Sequence, residues 1–359
     1  MIKKTAVILM NLGGPDKPES IRPFLINFFM DKNIIRAPYL VRYCISRIIA
    51  NKRSKKEAGT AYGQLGGKSP LLENTMAQAG ALQAELGSDY RVFVTMRYWH
   101  PMSDEIVPLV KNYEPDQIVL LPLYPQYSTT TTKSSIEDWR RAARQYNLEA
   151  PTSLVCCYPF DEGFIQASVD RIKPVYEGLM RQSGRPPRLL FSAHGLPEKI
   201  IKSGDPYQWQ CEETARKIAE ALQIYNLDWT VCYQSRVGPL KWIGPSTEDA
   251  LQKAAQDKTP VLIYPHAFVS EHVETLVEIE EEYRDSAKKL GVPGFARVET
   301  VGTSETFIKG LAQQVRTQTW NVAQNLAGQS KFPNNRNHRF CPMQYSKCCH
   351  NKKKCLGIF

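Results

Sequence analysis

The chain has 359 residues, enough for two domains with cores of ordinary size. Hydrophobic residues make up 42% and charged residues 23%, which excludes an intrinsically disordered chain, and no apolar run approaches the ~18 residues of a membrane-spanning helix. The formal charge is +10, but seven basic residues and no acid fall in 331–359, so the first 330 residues carry only +3.

Residues 1–11 join a basic flank to a short apolar run. They lack a full apolar region and a small-residue cleavage site, so they read as a first strand rather than a signal peptide. Ile21, Phe24, Leu25, Phe28, Phe29 and Met30 then recur at helical spacing, which suits either a core-facing helix or an apolar lip beside a ligand or a membrane surface. Arg42, Arg47, Lys52, Arg53, Lys55 and Lys56 follow, suiting solvated side chains or an anionic partner: nucleic acid, lipid headgroups or a carboxylated ligand.

Further strands are predicted at 92–97, 117–121, 153–158, 188–194, 229–234, 261–265 and 296–301. Most are apolar on both faces, as parallel strands covered by helices are. Helical periodicity over 72–86, 135–146, 164–182, 207–222 and 247–256 alternates with them. The predicted fold is therefore α/β: two similar Rossmann-like domains, each with a four-stranded parallel sheet flanked by helices. The boundaries are expected at 1–160, which includes the lip at 20–50, and 161–327. A basic, cysteine-containing extension covers 328–359.

Ligands of open α/β sheets bind off the carboxyl ends of the strands, so the residues that follow each strand carry the functional information. No dinucleotide fingerprint follows the first strand, and neither a P-loop nor a nucleophile elbow is present. Instead the strand ends offer Arg97, Tyr98, Tyr124, Ser128, His194, Arg236, Trp242, His266 and His272. Tyr and Trp give flat faces for a flat ligand, and Arg97 suits a bidentate carboxylate contact. Glu274, Glu278 and Glu282, spaced four apart, predict one face of an α-helix with each carboxylate about a turn from the next. Such a row is either a solvated face or, placed after an apolar strand beside His272, a set of proton acceptors with raised pKa and an affinity for divalent cations. His194 ends a buried strand, and Gly195 permits a sharp turn that aims it into a cleft. Together these residues suit proton removal and metal handling on a large, flat, apolar substrate.

Nine cysteines without a secretory signal do not predict a disulfide framework. Cys44, Cys156, Cys157, Cys211 and Cys232 are scattered, whereas Cys341, Cys348, Cys349 and Cys355 crowd into the last nineteen positions, which points to a metal.

At these motifs the chain resembles the ferrochelatases, which insert ferrous iron into protoporphyrin IX. The matches are Asn11-Leu-Gly-Gly-Pro15, Tyr62 with Gly66-Gly-Lys-Ser-Pro70, Arg97-Tyr98, Leu123-Tyr-Pro-Gln-Tyr-Ser128, Ser192-Ala-His-Gly-Leu-Pro197, Gly204-Asp-Pro-Tyr207, Gln234-Ser-Arg-Val-Gly-Pro239 with Trp242, and Ser270-Glu-His-Val-Glu-Thr-Leu276. They occur in the family's order over roughly residues 5 to 310.

The resemblance implies a class II chelatase-like fold and a lyase that forms protohaem with release of two protons. His194 and Glu274 are then the facing catalytic groups that meet the substrate Fe2+, with His272, Glu278 and Glu282 along a proton or metal route. Met30, Tyr62, Arg97, Tyr98, Tyr124, Ser128 and Trp242 are implied to bind the porphyrin. The resemblance also shifts the weight of residues 20–50 toward ligand and membrane contact.

In some members a C-terminal extension helps bind a [2Fe–2S] cluster, which needs four thiolates. Here the candidate ligands are Cys341, Cys348, Cys349 and Cys355. Thr129 occupies the position of the internal cysteine of the animal pattern and cannot ligate, so either all four tail cysteines serve or Cys156 or Cys157 replaces one. A zinc site and simple reduced thiols are the alternatives.

The expected partners are protoporphyrin IX, ferrous iron and, peripherally, a membrane surface. The expected location is the cytoplasm with contact at the inner membrane, as a monomer or homodimer. No base-reading module is present, so no nucleic-acid partner is expected. A sister chelatase for coproporphyrin or another tetrapyrrole and a non-catalytic porphyrin or haem carrier are the competing readings.

Overall fold

A computed structural model describes residues 4–59, 61–236, 239–326 and 341–349. The described residues divide into two compact units: those within 4–157, with 311–326, 341–342 and 348–349, and those within 158–310, with 343–347. The units are thus interleaved in sequence. The last long helix, Glu305–Leu326, passes to the first unit at Leu311, where Arg316 pairs with Glu85 at 3.2 Å. The short tail segment 343–347 belongs to the second unit, where the Lys347 N–H donates to the Gly204 carbonyl at 3.0 Å.

The first unit is built on β1 (Thr5–Asn11), β2 (Tyr90–Met96), β3 (Gln117–Pro122) and β4 (Thr152–Leu154) in the order β2-β1-β3-β4. All pairs are parallel, with Thr5 opposite both Tyr90 and Gln117, and Ile118 opposite Thr152. Every residue of β1 and β3 is buried, which is why their sequences are apolar without alternation. The predicted fourth strand is cut short: after Leu154 the chain leaves the sheet, but Val155, Cys156, Cys157 and Tyr158 stay buried. A buried loop and a buried strand show the same apolar run in sequence.

The second unit repeats this plan with β5 (Arg188–His194), β6 (Trp229–Gln234), β7 (Val261–Tyr264) and β8 (Phe295–Arg297), ordered β6-β5-β7-β8 and all parallel. Its helices are cleanly bounded. Asp161 accepts from the Phe164 N–H at 2.9 Å to start Glu162–Ser183, and Gly184 at φ 70° ends it. Ser246 and Asp249 form a reciprocal capping box on Thr247–Gln256.

In both sheets the strand order reverses beside the first strand, so the ends of β1 and β3, and of β5 and β7, flank a switch point where open α/β sheets place ligands. Among the helices that the periodicity does not single out, the three long ones are Tyr39–Gly59, Ser103–Tyr113 with Pro108 inside it, and Glu305–Leu326. No helix among the described residues is long and apolar enough to cross a membrane.

Candidate active site

In the second unit the end of β5 and the segment after β7 bring His194 and Glu274 together. His194 Nδ1 lies 3.0 Å from Glu274 Oε2. His272 Nε2 stands 3.7 Å from the same oxygen, and its ring packs against Phe268 at 4.7 Å between centroids. One carboxylate oxygen therefore faces two imidazoles. Gly195 makes this turn possible through space rather than through unusual dihedrals. A Cβ there would lie 2.8 Å from the Gln234 carbonyl and 3.3 Å from the Trp242 ring.

The glutamate row is not α-helical. Glu274–Tyr283 is a ten-residue π-helix, with i→i+5 hydrogen bonds, and the α-helical face expected from the spacing is corrected accordingly. π-Turns are uncommon and concentrate at functional sites. Glu274 and Glu278 are half-buried, whereas Glu282 is exposed. Arg297, only 9% exposed, braces the helix from β8 by pairing with Glu271 at 3.0 Å and Glu280 at 2.9 Å. The Thr300 N–H, beyond the end of the eighth strand at Arg297, also donates to Glu271 at 2.7 Å.

The expectation that the paired carboxylates share raised pKa values holds for only one of them. Burial works to raise the Glu274 pKa, but the charge and hydrogen bonds of His194 and His272 outweigh it and hold the carboxyl well below its usual range. At Glu278, burial and the neighbouring Glu274 charge push the pKa up. Glu278 accepts from the Ser235 N–H (2.8 Å), Ser235 Oγ (2.5 Å), Tyr283 Oη (3.0 Å) and Gln234 Nε2 (3.3 Å). Two neighbouring acids in opposed protonation regimes suit stepwise proton transfer.

Of the other histidines near the site, His266 is fully buried, its ring nitrogens 3.1 Å from the Ser192 and Cys211 carbonyls. Burial pushes its pKa down to about 4, so it is neutral and structural.

The first unit holds most of the residues assigned to the porphyrin. Arg97 is already engaged: its Nη2 lies 3.1 Å from Asp31 Oδ2 and its Nε donates to Ser134 Oγ at 2.8 Å. Tyr98 is fully buried and donates to Asp31 at 2.7 Å. Ser128 is likewise fully buried, 2.8 Å from Thr130 Oγ1. Tyr124 Oη is 3.3 Å from Ser135 Oγ, and Tyr62 is buried. Met30 lines a cavity of about 240 Å³ together with Arg97 and Asp31. Trp242 belongs to the second unit and is partly buried.

Sequence reasoning missed Asp31, a lone acid after an apolar helix, which organises Arg97, Tyr98 and Ser134. It also missed Arg297, Ser235 and Tyr283, whose roles depend on contacts distant in sequence or on the π-turn. At the lip, Ile21, Phe24, Leu25 and Phe29 are core residues. The exposed apolar side chains are Tyr39, Leu40, Val41, Tyr43 and Ile48 of the following helix.

Also in the first unit, the sulfurs of Cys156, Cys157 and Cys349 all lie within 4.8 Å of one another, and Cys156 and Cys349 are drawn together as a disulfide. Cys341 and Cys348 are buried and are not in a disulfide. Cys355 lies outside the described residues.

The family model described as Ferrochelatase matches residues 4–319. Proteins named ferrochelatase from Pelagibacter ubique and Caulobacter vibrioides are 44% and 50% identical to the chain. The alignments cover 96% and 88% of the chain and 98% and 90% of those proteins. In fold, the chain is similar to SirB from Bacillus subtilis with Fe3+, at a TM-score of 0.54 and 14% identity over 91% of the chain and 98% of SirB. A second SirB structure, a sirohydrochlorin chelatase in complex with cobalt, gives a TM-score of 0.52 at 15% identity over the same shares.

Proposed function

The chain belongs to the ferrochelatase family, a family of haem-synthesis metal chelatases, and from that premise we propose that it inserts Fe2+ into protoporphyrin IX and releases two protons to form protohaem. The observation that carries this reading is the 3.0 Å contact of His194 Nδ1 with Glu274 Oε2 at the switch-point end of the sheet. Glu274 is held ionised. It accepts from the His194 Nδ1–H, which orients the imidazole so that its Nε2 takes a pyrrole proton. The imidazolium so formed is stabilised by the carboxylate, as in other carboxylate–histidine pairs. His272, at the same carboxylate oxygen, helps keep Glu274 ionised, and Glu278, with its raised pKa, is the next proton acceptor. Glu282, exposed at the far end, is where this row meets solvent.

For the porphyrin, we assign contact to Met30, Tyr62, Tyr124 and Trp242. Arg97, Tyr98 and Ser128 are assigned to holding the wall, since Asp31 engages the first two and Ser128 has no exposed surface. Exposed apolar residues of Tyr39–Gly59, with Lys52 and Lys55 on the same helix, support peripheral contact with a membrane surface.

The cysteines fit the [2Fe–2S] group found in some members. A disulfide needs two sulfurs, whereas here three converge in a buried place and two more buried cysteines lie on the same tail segment. Cys349 with Cys156 or Cys157, completed from Cys341 and Cys348, would hold it, which favours an internal ligand over an all-tail set. When bound, the cluster supplies a redox-active centre that ties the tail to the first unit.

The test is anaerobic iron(II) insertion into protoporphyrin IX by wild type, His194→Ala and Glu274→Gln. Haem formation by wild type and its loss in both variants is expected. Tight porphyrin binding without haem formation would replace the enzyme with a carrier, and preference for coproporphyrin would change the substrate.

A further inference from the structure

Ser235 follows β6 with φ 61°, in the left-handed region that non-glycine residues rarely adopt. Five other described non-glycine residues share a positive φ: Glu114, Asn147, Gln223, Asn226 and Lys258. All five lie within a few residues of a helix C-terminus, where such a conformation is an ordinary stop. Ser235 instead sits at a strand end, on the edge of the sheet that carries His194. Its backbone conformation aims two donors of one residue at one carboxylate. The N–H reaches Glu278 Oε1 at 2.8 Å and the hydroxyl reaches Oε2 at 2.5 Å. The preceding Gln234 is locked behind it: Ser192 Oγ donates to Gln234 Oε1 at 2.7 Å, and the Gly195 N–H donates to the Gln234 carbonyl at 2.8 Å. Strain at a position over-determined by its surroundings is a mark of function.

We propose that Ser235 is a positioning residue for Glu278, gripping both carboxylate oxygens so that this glutamate stays at the distance and orientation needed to receive protons from the His194–Glu274 pair. The inference rests on the metal-insertion reading above. A serine suits the task because it combines a hydroxyl donor with a side chain small enough for this turn. Glycine would satisfy the backbone but lack the second donor, and alanine would keep the strain without the hydroxyl.

That contrast separates positioning from folding. Wild type, Ser235→Gly, Ser235→Ala, Glu278→Gln and the double variant Ser235→Gly/Glu278→Gln are compared for kcat and porphyrin KM in iron insertion, and for melting temperature. Ser235→Gly is expected to melt at or above the wild-type temperature while losing about tenfold in kcat, the effect of one lost hydrogen bond to a charged group. Ser235→Ala should lose the same kcat and melt lower, with KM unchanged in both. In the Glu278→Gln background, adding Ser235→Gly should cost nothing further, because both changes remove the same interaction. A Ser235→Gly enzyme with wild-type kcat, or a double variant whose losses multiply, overturns the proposal and leaves the metal-insertion reading intact. A wild type that inserts no metal overturns that reading, and the positioning role with it.

Discussion

Glu274 and Glu278 lie four residues apart on one π-helix, yet their carboxyls are driven in opposite directions, Glu274 down and Glu278 up. The difference comes from their neighbours. Glu274 faces the imidazoles of His194 and His272. Glu278 faces the charge of Glu274 in a buried place, and its hydrogen bonds from Ser235 and Tyr283 only partly offset this.

Iron insertion should therefore show an acid limb set by Glu278. Its proton-accepting form disappears, as pH falls, at a higher pH than that of an ordinary glutamate near 4.5. Glu278→Gln should lower kcat between about tenfold and a hundredfold and remove that limb. Profiles of kcat against pH for both proteins check this, and an unchanged limb in the variant would assign it to another group. Stability should follow the opposite signs of the two acids. The folded-state pKa of Glu278 is raised, so its contribution to stability declines as pH rises through the window between its unfolded and folded values. That of Glu274 is depressed, so its contribution is present above about 4.5 and is lost as pH falls toward the folded value.

Arg297 should be the side chain on which the π-helix depends most. It is 9% exposed and pairs with Glu271 before the helix and Glu280 within it. Arg297→Met leaves Glu271 half-buried without its main counter-charge and should cost about 3 kcal/mol. Arg297→Lys cannot span both acids and should recover only part of that. Urea unfolding of the three proteins checks the order. Glu271 is otherwise held below its usual pKa by Arg297, so the deficit of Arg297→Met should shrink as pH falls below about 4.5 and the carboxyl protonates in both proteins.

The fold was legible because the buried parallel strands Thr5–Asn11, Gln117–Pro122 and Arg188–His194 leave continuous apolar runs, and the helices between them keep their period. His194 was legible because it ends such a strand, and Glu274 because its acidic row lies in the segment after the apolar strand Val261–Tyr264. The π-helix was not: a spacing of four is equally compatible with an α-helix, and two of the residues that contact the row, Arg297 and Ser235, lie 17 and 43 residues from their partners. Position beside the glutamate row and the family resemblance singled out His272, whereas the structural role of His266 needed the structure. Both follow the same strand, but two carbonyls bury the first in the core while the second faces Glu274. Asp31 gave no signal at all, because its partners Arg97 and Ser134 lie 66 and 103 residues away.

The cysteine centre should separate by substitution. Anaerobically purified protein is expected to show visible charge-transfer absorption that bleaches on reduction. Cys349→Ser and Cys341→Ser should abolish it, whereas Cys44→Ser, at an exposed position in the helix Tyr39–Gly59, should not. Of the internal pair, the member whose loss abolishes the absorption is the ligand. Zinc in place of iron in the purified protein, with no visible band, would make the centre a structural zinc site.

The helix Tyr39–Gly59 should govern attachment to lipid. Leu40 and Ile48 are 74% and 68% exposed, far more than a core-facing helix allows. Arg47 stacks on Tyr43 with its guanidinium 3.3 Å from the ring centroid, which leaves a basic group beside the apolar face. Burying two such side chains in a headgroup layer contributes about 3 kcal/mol, enough for weak, reversible binding that anionic lipid strengthens and salt weakens. Sedimentation with vesicles containing phosphatidylglycerol should capture wild type, and Leu40→Glu/Ile48→Glu should stay in the supernatant with its melting temperature unchanged. Equal capture of both proteins would place the lipid contact elsewhere on the molecule. An unchanged melting temperature in the variant is itself informative, because it would show that neither leucine nor isoleucine is needed to hold the helix against its unit.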